Sequence, residues 1–228
     1  MKNTTAFGKP TPLYQYFVLA LCALAPALAQ AHTIRYELAG MSDTNIGWEY
    51  LKLGYTHILP LGFDHVLFVL SLFFLSTRLS TVLWQATAFT VAHSITLGLA
   101  MYGYIRPLPA IIEPIIALSI FFVAVENILV GTLKPGRIAI VFLFGLIHGM
   151  GFASALTDLG LPPSGYLLSL LSFNVGVELG QFTVIFAAWA LVGHWFSQKP
   201  WYRQRIVYPV SALIALVALY WTIERTFT

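Results

Sequence analysis

Six apolar stretches dominate this chain, at about 57–76, 79–103, 108–131, 137–158, 164–194 and 205–223, each close to the ~20 residues an α-helix needs to cross hydrocarbon. Inside a bilayer every backbone N–H and C=O must be satisfied by the segment itself, so stretches of this kind fold as helices. Composition agrees: 58% of the 228 residues are hydrophobic and 9% are charged, where soluble domains carry about 25% charged residues. The expected class is an all-α integral membrane protein, a six-helix transmembrane bundle in contact with the lipid bilayer. Intrinsic disorder is excluded by the same figures. The net charge of +3 is too small for a nucleic-acid partner, and its carriers sit in short clusters between apolar runs. Homo-oligomerisation is left open.

Lys2 and Lys9 precede an apolar run from Phe17 to Leu28, and Ala29-Gln30-Ala31 supplies small residues at alternate positions. This pattern predicts a signal peptide, residues 1–31, cleaved after Ala31. The alternative, an uncleaved anchor helix, leaves the downstream topology unchanged. Residues 32–56 are too polar to insert, but Trp48, Tyr50, Leu51, Leu53 and Tyr55 suit a short interfacial segment on the outer face. Residues 57–228 then form the transmembrane domain. With His32 outside, the inner loops hold Arg78, Lys134, Arg137, Lys199, Arg203 and Arg205, and the outer segments hold Arg35, Lys52, Arg106 and Arg225. That asymmetry is positive-inside and predicts a multi-pass membrane protein with its mature N-terminus on the outer side.

Polar residues inside the spans, and above all the charged ones at ~2.5–3.5 kcal/mol each to insert, need a partner or a function. The expected set is Asp64 and His65 on span 1, His93 and Ser94 on span 2, Glu113, Glu126 and Asn127 on span 3, His148 on span 4, and Asn174, Glu178 and Gln181 on span 5. At ~1.5 Å per residue, Asp64 and His65 lie ~10 Å from the outer end of their span, His93, His148 and Asn174 ~15 Å, and Glu178 ~20 Å. Groups at one level are one another's only partners there, which predicts a shared site of Asp64, His65, His93, His148 and Glu178. Pro60 and Gly62 interrupt the helix just before it. The pairs Gly145/Gly149 and Gly176/Gly180 permit close helix approach beside His148 and Glu178. Asn174, Glu178 and Gln181 share one face of span 5. His57 and Glu113 read as an outer vestibule, and Glu126, ~27 Å down its span, as a solvated helix end or an exit step. Taken singly, His65 could pair with Asp64 to fix packing, and His93 and His148 could be satisfied core residues.

The single cysteine, Cys22, falls in the signal segment, so a metal site must use histidine, carboxylate or amide ligands. Such ligands suit nickel, cobalt or zinc as substrate or ligand, and argue against a soft copper(I) site. Two functional classes fit: a divalent transition-metal permease, and an intramembrane metal-dependent hydrolase acting on a lipid-like substrate through metal-activated water. A third, a structural subunit whose polar layer locks its helices, makes no use of metal.

The residues that carry this chemistry also carry a resemblance. His57-Ile-Leu-Pro-Leu-Gly-Phe-Asp-His-Val-Leu-Phe68, Phe89-Thr-Val-Ala-His-Ser-Ile-Thr-Leu97, Ile112-Glu-Pro-Ile-Ile-Ala-Leu-Ser-Ile120, Phe144-Gly-Leu-Ile-His-Gly-Met-Gly-Phe-Ala153 and Phe173-Asn-Val-Gly-Val-Glu-Leu-Gly-Gln181 resemble the HupE/UreJ family of bacterial membrane proteins, in its second branch. The resemblance implies a polytopic inner-membrane protein associated with nickel or cobalt uptake for hydrogenase and urease. Asp64 and His65 match the Asp-His of the family's first motif. Two positions depart from the permease branch: His57 lies one residue farther from the Asp-His pair, and Phe144 stands four residues before His148 where that branch carries a second histidine.

Overall fold

A computed structural model of the chain describes residues 42–76, 78–131, 134, 136–158 and 166–227, with side chains of residues 43 and 154–158 left aside. The expected signal peptide and residues 32–41 lie outside them. All elements among the described residues are helices: α1 Asp43–Ile58, α2 Phe63–Leu75, α3 Leu79–Met101, α4 Pro109–Leu129, α5 Arg137–Asp158, α6 Tyr166–Phe196 and α7 Arg203–Phe227. Helix α6 passes through a π turn at Trp189–Gly193, and α7 opens with another at Arg203–Val207. Four of these, α3, α4, α6 and α7, are long and apolar enough to cross a membrane, and α1 with α2 makes a fifth if the pair is one broken span.

The outer surface is the apolar one. Helix α6 exposes Leu167, Leu171, Val175 and Leu179 and buries Ser169, Asn174, Gly176, Gly180 and Gln181. In water this pattern would be inverted; in lipid, which is as apolar as leucine, small and polar residues belong at helix–helix contacts. Helix α7 likewise exposes Leu213, Leu216, Leu219 and Ile223.

The first span differs from the sequence expectation. Instead of one helix from about residue 57, α1 runs to Ile58, residues 59–62 form a turn, and α2 departs at 68° to it. Proline and glycine produce the break. Gly62 folds back over the end of α1 so closely that a Cβ there would strike the His57 carbonyl oxygen. Residues 43–56, expected at the interface, are the greater part of α1, with Ile46 and Tyr50 buried. What holds α1 is a backbone-to-backbone approach to α6: a Cβ on Gly54 would meet the Phe173 carbonyl, and one on Gly176 the Leu51 carbonyl. Gly180 abuts Ile58 in the same seam.

A second close seam joins α3 and α5. Gly145 lies against the Phe89 carbonyl, Gly149 against that of His93, and Thr96 donates to the Leu146 carbonyl at 2.7 Å. Helix α4 begins with Pro109, whose missing N–H and fixed φ suit the first turn, and packs along α7. At the end of α3, Gly103 takes φ +77°, so that its N–H reaches the Ala100 carbonyl and that of Tyr104 reaches Leu99, closing the last turn.

Candidate metal centre

The break between α1 and α2 makes a site. His57 ends α1 and His65 begins α2, and the bend turns them toward each other, with ring centroids 4.7 Å apart. His93 of α3 completes the group: one ligand nitrogen from each of His57, His65 and His93 lies within 4.8 Å of the other two. His93 is fully buried and His65 nearly so. Nε2 of all three is buried without a hydrogen-bond partner. Buried polar atoms are rarely left unpaired, and three in one cluster is a cost that a bound cation would remove. Phe89, Phe152 and Phe173 wall the group, with Phe152 3.9 Å from the His57 ring. Imidazole binds a metal ion through the lone pair of its neutral form.

The second nitrogen of His93 is fixed by a neighbour. Asn174 on α6 donates through Nδ2 to the Leu170 carbonyl at 2.8 Å, which leaves its Oδ1 facing His93 Nδ1 at 3.1 Å. A carbonyl oxygen only accepts, so His93 carries its proton on Nδ1 and presents a lone pair on Nε2. This is the arrangement that histidine ligands commonly need from a second residue. His148, near the middle of α5, lies 5.1 Å from His65 between centroids, beside Phe68 and Phe89, and outside the three-nitrogen group.

The carboxylates expected in the site have other partners. Asp64 accepts a two-pronged interaction from Arg225 of α7, at 2.7 and 3.2 Å, with both side chains about a quarter exposed. Glu178 accepts from the Thr87 hydroxyl at 2.6 Å. Gln181 accepts from Thr90 at 3.2 Å, and Ser94 donates to the Thr90 carbonyl. The α6 face bearing Asn174, Glu178 and Gln181 thus looks at α3, but among these contacts only Asn174 meets a site histidine. Glu113 is exposed near the Asp64 end, where Arg225 also reaches its carbonyl at 3.5 Å. At the opposite end Glu126 pairs at 2.8 Å with Arg137, whose side chain is 3% exposed and also bonded to Gln85. Asn127 ties α4 to the Ser71 carbonyl of α2 and to Ser211 of α7.

Sequence reasoning placed His57 in a vestibule, since it stood at the head of the first apolar stretch; the bend brings it into the centre. It missed Ser119 of α4, which bonds to His148 and looks in sequence like any small residue in an apolar run. The Pro60-Leu61-Gly62 interruption was the available signal for His57.

A family model described as HupE / UreJ protein matches residues 31–225, and so takes in all seven helices and the three histidines. The chain belongs to the HupE/UreJ family. This family is associated with nickel and cobalt transport or maturation, and a histidine cluster in a membrane-type helical bundle fits metal-ion handling. Comparison with curated proteins returned no match, nor did comparison with solved structures.

Proposed function

We propose that this HupE/UreJ protein is a permease for a divalent transition-metal cation of the nickel–cobalt type, with the ion held as substrate by His57, His65 and His93. The observation that carries the reading is the convergence of three histidines, one ring nitrogen of each within 4.8 Å of the other two, with Nε2 of each buried without a partner. Tetrahedral and higher coordination both accept three imidazoles with open positions for water. Imidazole selects borderline metals over magnesium and calcium, which prefer oxygen. The three ligands are neutral, and Asp64 is occupied by Arg225, so the charge of a bound dication stays largely uncompensated in an apolar setting.

The broken α1–α2 pair supports the same reading, because interrupted helices expose backbone and turn side chains into a cavity at mid-depth. In the full arrangement α1–α2 counts as the first of six spans, the signal peptide is removed after Ala31, and the protein lies in the bacterial inner membrane with the Asp64–Arg225 end periplasmic. The six basic residues at the other end are the argument for that orientation. Two of them have structural duties besides: Arg137 pairs with Glu126, and Arg203 donates to the Asn127 and Val130 carbonyls at the end of α4.

The test is uptake of Co2+ or Ni2+ into proteoliposomes holding a metal-quenched dye. Wild-type protein should quench the dye, and His65→Ala and His93→Ala should not. Metal binding without uptake, together with hydrolysis of an ester-linked lipid, would replace the permease with the hydrolase. Neither binding nor uptake would leave the histidines a structural role.

A further inference from the structure

His148 stands outside the three-nitrogen group yet is built as a ligand. Its Nδ1 is buried without a partner, and its Nε2 is committed elsewhere. Ser119 of α4 gives its hydroxyl proton to the Ile116 carbonyl at 2.7 Å, so its oxygen accepts from His148 Nε2–H at 3.0 Å. The lone pair is thereby set on Nδ1, as Asn174 sets that of His93 on Nε2. Packing alone requires no such tautomer. The two neighbourhoods overlap at one residue. His57 is set against Phe152 and Phe173, whereas His148 is set against Phe68 and Phe89, and both histidines adjoin His65. Phe68 lies one turn beyond His65 on α2, toward the end where Asn127 and Arg203 sit.

We propose that His148 forms a second metal station: the cation passes from His57, His65 and His93 to a site in which His148 Nδ1 replaces His57, His65 is shared, and Ser119 is the positioning residue that keeps the lone pair available. The proposal rests on the permease reading and adds a direction to it. No proton or electron changes hands; one imidazole–metal bond forms as another breaks. A shared ligand lets the ion move without returning to bulk water.

The experiment measures both equilibrium Co2+ binding in detergent and initial Co2+ uptake in proteoliposomes, on one set of variants. Ser119→Ala and His148→Phe should keep wild-type affinity while uptake slows about tenfold or more, the scale typical of outer-shell changes at metal sites. His148→Phe keeps aromatic bulk, and Ser119→Thr, which keeps a hydroxyl able to bond back along the helix, should restore uptake. Monodisperse, cooperatively unfolding protein establishes that each variant is folded. Wild-type uptake in Ser119→Ala, failure of Ser119→Thr to rescue, or loss of affinity in His148→Phe equal to that in His93→Ala would each overturn the second station. If His93→Ala itself takes up Co2+ at the wild-type rate, the permease reading fails, a result distinct from the others.

Discussion

Replacing Asn174 by leucine removes the acceptor of His93 Nδ1–H while preserving approximate volume. The two residues are 6% and 0% exposed, so water does not take the place of the lost oxygen. His93 must then either bury an unpaired N–H or move its proton to Nε2, the nitrogen that wild-type His93 leaves unpartnered. In the metal-bound form the proton cannot sit on Nε2, so binding carries the full cost of an unsatisfied Nδ1–H, about 1–3 kcal/mol. At 1.4 kcal/mol per factor of ten, affinity for Co2+ should fall about 5–140-fold. The effect on the metal-free fold is smaller, because interhelical hydrogen bonds in membrane bundles average only ≈ 0.6 kcal/mol. Asn174→Asp keeps an acceptor and should bind at least as tightly as wild type. The assay is Co2+ titration of detergent-solubilised protein, with thermal unfolding of the metal-free form beside it. Wild-type affinity in Asn174→Leu would refute the tautomer argument, and an affinity loss matched by an equal loss of metal-free stability would reduce it to ordinary packing.

Other consequences concern the frame around the site. Gly176→Val places two methyl groups against the Leu51 carbonyl, so α1 must lift from α6 and carry His57 away; both Co2+ binding and melting temperature should drop, whereas Gly136→Ala, with nothing within 4 Å of the added carbon, should change neither. Arg225→Ala strands the Asp64 carboxylate, and Asp64→Asn together with Arg225→Ala should melt closer to wild type than Arg225→Ala alone, as measured by thermal unfolding. Glu126→Gln leaves Arg137 buried without its counter-ion and should destabilise by about 3–5 kcal/mol, with recovery when Arg137→Gln is added. Uptake lost in the single variant but regained in the double would assign Glu126 to the frame and not to a cation path.

The apolar runs made the helical membrane class legible, and the depth of His65, His93 and His148 made a polar layer legible, because both follow from one-dimensional spacing. Span 1 was harder. Its helix begins before the apolar stretch, among residues such as Glu49 and Lys52 that pair with each other at the surface at 2.8 Å, so hydropathy marks its start too late. The depth of His57 was counted from that late start, and it came out at the membrane edge. The glycine seams were visible as spacings, but not their partner: Gly176 and Gly180 meet α1, which the sequence places along the interface as a short amphipathic pre-helix and not against this span. Asp64 shares its level with His65, but side chains next to each other on a helix point about 100° apart. Its partner, Arg225, comes from 161 residues away, a pairing that spacing cannot carry.

The central claim is that three histidine nitrogens drawn from α1, α2 and α3 hold the cation. Zinc-edge X-ray absorption on the purified, zinc-loaded protein tests it most directly. The account predicts a first shell with at least three nitrogens at about 2.0–2.1 Å and the outer-shell scattering of imidazole, losing one imidazole in each of His57→Ala, His65→Ala and His93→Ala. A first shell of oxygens without imidazole scattering, or one unchanged by all three substitutions, would contradict it.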